Sequence, residues 1–117
     1  MVDLSQTQSD SAYPLQPLLD ELRAHLSNST TQVPPLGLAT TLEPVYCRLR
    51  QALGAEKVAP DRQPYLTEFH KQMRLLGTDI GFLKAAQKAE TRRQRFLAMG
   101  DRLQTLQRYY DAMTAVE

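Results

Sequence analysis

The chain of 117 residues has one cysteine, Cys47, no tryptophan and only 7% aromatic residues. A single cysteine excludes an internal disulfide framework and a cysteine-based zinc site. The sequence has no apolar run near the ~20 residues that a membrane helix needs. Its first residues, MVDLSQTQSDSA, lack the basic and apolar regions of a secretory signal. We therefore expect a single cytoplasmic domain in which Cys47 is a small core residue.

The sequence also lacks the motifs of common enzymes. No G-x-x-x-x-G-K-[ST], G-x-G-x-x-G, H-E-x-x-H or G-x-S-x-G pattern occurs. Neither of the two histidines has the E-x-x-H spacing of di-iron helical bundles. We therefore predict that the protein is not an enzyme and that it uses no cofactor and no metal.

Charge is almost balanced in total, at +1, but it is unevenly distributed. Residues 1–47 contain one base and five acids, whereas residues 48–108 contain 13 bases and six acids. A basic half is typical of proteins with an anionic partner. The simpler interpretation is that the acidic first half folds against the basic second half.

All seven prolines lie within the first 64 residues, and the last 53 residues contain none. Proline is the strongest helix breaker, so its absence favours long helices in the second half. The polar residues of segment 1–12 predict a flexible N-terminus. We assign residues 13–117 to a single helical domain.

Two helices are predicted in the first half. The first runs from about Pro14 to Asn28, because five leucines recur there at spacings of three and four residues. The second runs from about Leu38 to Leu53 and contains Pro44, which either kinks the helix or moves its start to about Glu43.

The second half predicts a helical hairpin over residues 62–115. Asp61 is a candidate N-cap for its first helix, and the second helix follows Thr91. Each helix has a heptad seam with spacings of 3, 4, 3, 4 and 3. The seam residues are Leu66, Phe69, Met73, Leu76, Ile80 and Leu83, then Phe96, Met99, Leu103, Leu106, Tyr110 and Met113.

The two seams match each other in an antiparallel arrangement. If Leu83 faces Phe96, the other five layers also pair one seam residue with another, down to Leu66 with Met113. The midpoint of this pairing predicts a turn within residues 88–91. With the first two helices as cover, the predicted fold class is all-α, a single four-helix bundle built on this hairpin.

The same register places four residues beside the seam. Asp79 and Arg102 lie on one side and predict a structural ion pair, because a partly buried carboxylate needs a partner. Gly77 and Gly100 are expected to meet on the other side. Each helical glycine costs ~1 kcal/mol of helix propensity, which predicts that a third element packs closely there.

Basic residues cluster at the predicted turn. Five of them, with only Glu90 opposing, occur within twelve residues: Lys84, Lys88, Arg92, Arg93 and Arg95. Such a cluster is either a solvated helix end or a contact for an acidic protein segment or phosphates. We predict that these five residues, together with Arg74 and Tyr109, face a partner.

Two blocks in the second half resemble the small cyanobacterial PatD family, which controls heterocyst frequency. The first is Lys71-Gln72-Met73-Arg74-Leu75-Leu76 followed by Asp79. The second comprises Asp101-Arg102-Leu103, Leu106, Tyr109 or Tyr110, and Asp111-Ala112. The resemblance covers about 50 residues. It implies a non-enzymatic regulator of heterocyst patterning or cell division that binds the division GTPase FtsZ or a similar protein.

Two other hypotheses remain open. A nucleic-acid-binding helical protein would need Arg92, Arg93, Arg95 and Arg108 in one continuous stripe. A homodimer would pair Leu97 and other apolar residues outside the seam.

Overall fold

The computed structural model describes residues 15–28 and 37–115. The described elements are four α-helices and one 3-10 turn, namely α1 (Leu15–Asn28), α2 (Leu38–Gly54), the turn (Pro60–Arg62), α3 (Gln63–Ala85) and α4 (Ala89–Thr114). These two ranges contain no strand, so the predicted all-α fold class is confirmed. Segment 1–12 and Pro14 lie outside the described residues.

Each helix packs against the next one along the chain, and α1 also packs against α4. Two contacts between helices join the start of one to the end of the other, which makes the fold an up-down-up-down bundle. Glu43 near the start of α2 meets Lys84 near the end of α3 at 3.3 Å. Gln16 at the start of α1 exchanges hydrogen bonds with Gln107 in the last third of α4. Within the described ranges, no helix has the length and apolar content that a membrane span requires.

The α3–α4 hairpin is the most extensive of these helix pairs. All twelve seam residues pack in the core; eleven are fully buried, and Phe96 is partly buried. Phe69 and Tyr110, which the register pairs as one layer, have ring centroids 6.3 Å apart. The predicted antiparallel pairing is therefore confirmed at this layer.

The predicted position of the turn is wrong by about two residues. Residues 86–88 connect the helices, and Ala89 already belongs to α4. Lys88 is extended, and its carbonyl accepts a hydrogen bond from the Arg92 amide at 3.0 Å. Alanine and glutamate are strong helix formers, so Ala89 and Glu90 extend the helix beyond the seam instead of forming the turn.

The predicted N-cap is also wrong. Asp61 lies inside the 3-10 turn, and Arg62 precedes the first residue of α3 without a side-chain cap hydrogen bond. Pro60 starts that turn, because the missing amide hydrogen of a proline costs nothing at a helix start. The side chain of Arg62 instead donates to the carbonyls of Ala112 at 2.9 Å and Ala115 at 2.6 Å, at the end of α4.

Helix α2 begins at Leu38 and continues through Pro44, so the alternative start near Glu43 is wrong. Pro44 and Thr40 are both exposed, which leaves water available to the carbonyl that loses its helical hydrogen bond. Cys47 is exposed as well, so its prediction as a core residue is wrong.

Candidate functional site

The five basic residues lie where α3 ends and α4 begins, and we call them the tip cluster: Lys84, Lys88, Arg92, Arg93 and Arg95. Two of them have carboxylate partners. Lys84 contacts Glu43 at 3.3 Å, and Arg93 contacts Glu90 at 3.0 Å. The hydrogen bond from Arg93 lowers the pKa of Glu90. These pairs are exposed and are individually weak, but they neutralise two of the five positive charges.

Arg92 stabilises the turn itself. Its Nη1 atom donates a hydrogen bond to the carbonyl oxygen of Gln87 at 2.8 Å. Its position continues the α4 seam, four residues before Phe96, and its Nε atom is buried without a described partner. Arg92 therefore closes the end of the core, although the sequence predicts that it faces a partner.

Arg95 and Lys88 are the available cations of the cluster. The Arg95 guanidinium lies 4.3 Å from the ring centroid of Phe82, a cation–π contact. Phe82 is 48% exposed. Neither cation has a carboxylate partner among the residues that the structure describes. The tip thus presents an exposed aromatic ring stacked with the Arg95 cation, a combination typical of binding hot spots. Lys88 adds a second positive charge immediately before the first residue of α4.

Arg74 and Tyr109 do not join the tip cluster. Arg74 is exposed on α3 and has no described carboxylate partner, but it lies eleven residues before the end of that helix. Tyr109 packs partly buried against the core in the last two turns of α4. The structure therefore brings neither residue to the turn.

The predicted ion pair, Asp79 with Arg102, forms the centre of a polar network on the side of the hairpin seam opposite Gly77. Arg102 Nε donates to Asp79 Oδ2 at 3.0 Å, and Arg102 Nη1 donates to Gln72 Oε1 at 3.0 Å. Asp79 is only 6% exposed and Gln72 only 9%. Both buried polar groups are satisfied, so this network has a structural role.

Sequence reasoning missed one further feature, an apolar groove between α1 and α4. Its volume is about 330 Å³, and Leu26, Phe96, Leu97 and Gly100 contribute to its lining.

Open space surrounds the position that a Cβ atom of Gly100 would occupy. The close packing predicted at Gly100 is therefore wrong, whereas Gly77 does contact a third element, Tyr46 of α2.

Among the described residues, no group of three or more histidine, cysteine or acidic side chains could hold a metal ion. Comparison with known proteins finds no relative, since no protein-family profile, no curated protein and no solved structure matches the chain. The resemblance to the PatD family therefore stays a prediction.

Proposed function

We propose that this protein is a non-enzymatic, cytoplasmic regulator that binds an acidic segment of another protein at the hairpin tip. An FtsZ-type division GTPase is the proposed partner, and cell division or heterocyst patterning is the proposed process. The identity of the partner rests on the PatD-like blocks of α3 and α4, together with the acidic residues that tails of FtsZ-type proteins commonly carry.

One observation carries the binding proposal: Arg95 and Lys88 lack described carboxylate partners, and Arg95 stacks on the exposed ring of Phe82. A guanidinium binds carboxylates through paired hydrogen bonds, and stacking on the ring restricts its orientation. An apolar side chain of the partner would cover Phe82, while neighbouring carboxylates bind the two cations.

The alternative is nucleic-acid binding, which would need one continuous arginine stripe. At 100° per residue, Arg92, Arg93, Arg95 and Arg108 point in four different directions around α4. Arg92 and Arg93 already bind Gln87 and Glu90. This distribution favours the acidic protein segment.

The test is a binding titration of the purified chain by fluorescence anisotropy. One labelled probe is a purified FtsZ-type GTPase, and the other is random-sequence DNA. We expect saturable binding of the GTPase that weakens when its acidic tail is removed, and no binding of DNA at low salt. Binding of DNA alone, with an affinity that falls steeply with salt, would favour the alternative and overturn the proposal.

A further inference from the structure

We infer that the protein forms a two-fold symmetric dimer through the outer face of the hairpin. This outer face is the side of α3 and α4 that carries Glu68, Leu75, Phe82, Arg95 and Arg102. The described neighbours of the hairpin lie elsewhere: α2 packs on α3 beside Gly77, and α1 packs on α4 beside Gln107. No described residue from α1 or α2 is placed on the outer face.

Three residues of α3 form a row along this face. Glu68, Leu75 and Phe82 follow one another at intervals of seven residues, so all three lie within about 40° around the helix and each is about 10.5 Å from the next along it. Leu75 is partly buried and Phe82 is 48% exposed. Along α3, the centre and one end of this row are therefore apolar, and the other end carries a carboxylate. On α4, Arg102 lies beside the centre and is paired with Asp79 within its own chain.

Charge on the outer face is self-complementary. Arg95 lies on Phe82 at the tip end and has no described carboxylate partner. Among the residues that the structure describes, Glu68, at the opposite end, is paired with the exposed Lys71 and, at 3.4 Å, with Gln72. A two-fold axis that lies in the interface and crosses α3 at Leu75 places the tip end of one copy against the Glu68 end of the other. Arg95 of each copy therefore meets Glu68 of the other.

The dimensions of the face fit a small interface. Helix α3 has 23 residues, which corresponds to roughly 34 Å, and two helices side by side are roughly 20 Å wide. The resulting area of about 700 Å² per copy is close to the ~800 Å² per partner of a standard interface. The contact is isologous and closes on itself, so association stops at the dimer.

Self-association does not depend on the proposed function, although Arg95 takes part in both contacts. Because Arg95 would be occupied in the dimer, an acidic partner and the second copy would compete for it. The protein would then be a dimer in the absence of its partner and would dissociate when the partner binds.

The test is sedimentation equilibrium of the full chain from about 1 µM to about 1 mM, the range expected for an interface of this size. We expect a monomer–dimer equilibrium that E68R or R95E weakens roughly tenfold by like-charge contacts. In one chain these two positions lie about 20 Å apart along the hairpin. Recovery of dimerisation in the double variant E68R/R95E would therefore report contact between copies.

The matched control is L97E, which adds a charge to another exposed apolar residue, 53% exposed, beside the α1–α4 groove. We expect it to leave dimerisation unchanged, with circular dichroism confirming that each variant is folded. Loss of the dimer in L97E but not in R95E would overturn the inference. A wild-type monomer at every concentration would overturn it too, and if that monomer still binds labelled polyglutamate, the proposed function survives without the dimer.

Discussion

The ring of Tyr46 on α2 lies against the backbone of Gly77 on α3. A Cβ atom at position 77 would lie 2.8 Å from the Tyr46 Cζ atom and closer still to its hydroxyl oxygen. The hydroxyl donates a hydrogen bond to the Met73 carbonyl oxygen at 2.9 Å, one helical turn away. This contact joins the hairpin to the first half of the chain and explains why a glycine occupies the middle of a helix.

The variant G77A is expected to destabilise the protein. The added methyl group forces Tyr46 away and breaks its hydrogen bond, at a cost of about 1–3 kcal/mol. Chemical denaturation monitored by circular dichroism measures the change in unfolding free energy.

The matched control is G100A, because the space at Gly100 is open. Here alanine should stabilise the protein by about 0.5–1 kcal/mol through helix propensity alone. Equal effects of the two substitutions would contradict the packing described at Gly77.

Tyr46 should also make the protein less stable as the pH becomes alkaline. Burial raises the pKa of Tyr46 above its ordinary value of 10.0, and the positive charge of Arg50 opposes the shift only in part. Between the unfolded and folded pKa values, the folded state holds more protons, so unfolding free energy falls as pH rises above about 10. Thermal melts from neutral to alkaline pH should show a shallower decline in the variant Y46F. A parallel decline would show that Tyr46 titrates alike in both states.

Removing Arg102 alone should destabilise the fold more than replacing both Arg102 and Asp79 with apolar residues. The variant R102Q leaves Asp79, only 6% exposed, without its cation, and we expect a loss of about 2–4 kcal/mol. The double variant D79L/R102L should lose less stability than R102Q, because two apolar residues need no partners and only the Gln72 Oε1 atom is left without its donor. Urea denaturation measures both; a double variant as unstable as R102Q would count against this account.

The hairpin could be predicted from the sequence because its apolar residues recur at a regular spacing. Heptad spacing identifies the buried side of each helix, and the common register places Asp79 opposite Arg102. What covers the flanks depends on contacts between distant parts of the chain. The sequence therefore predicts close packing at both Gly77 and Gly100, although only Gly77 meets a neighbouring side chain.

The tip cluster was predictable as a group but not in its parts. Clustering of bases follows directly from the sequence, whereas their partners depend on the turn geometry. Arg92 binds the turn carbonyl, and Arg93 and Lys84 bind carboxylates. The exposed pair of Phe82 and Arg95 depends on the packing of α3 against α4, and no local pattern indicates it.

The most direct test of the central claim, that the hairpin tip binds an acidic protein segment, is to compare two charge-matched double variants. K88E/R95E reverses the two available cations of the tip, and K57E/R108E reverses two exposed cations elsewhere. Fluorescence anisotropy with the labelled FtsZ-type GTPase measures the dissociation constant of each. We predict that K88E/R95E weakens binding at least roughly tenfold, the loss of one or two charge-assisted contacts, while K57E/R108E stays within about threefold of wild type. Equal loss in both variants would show that only net charge matters and would contradict the account.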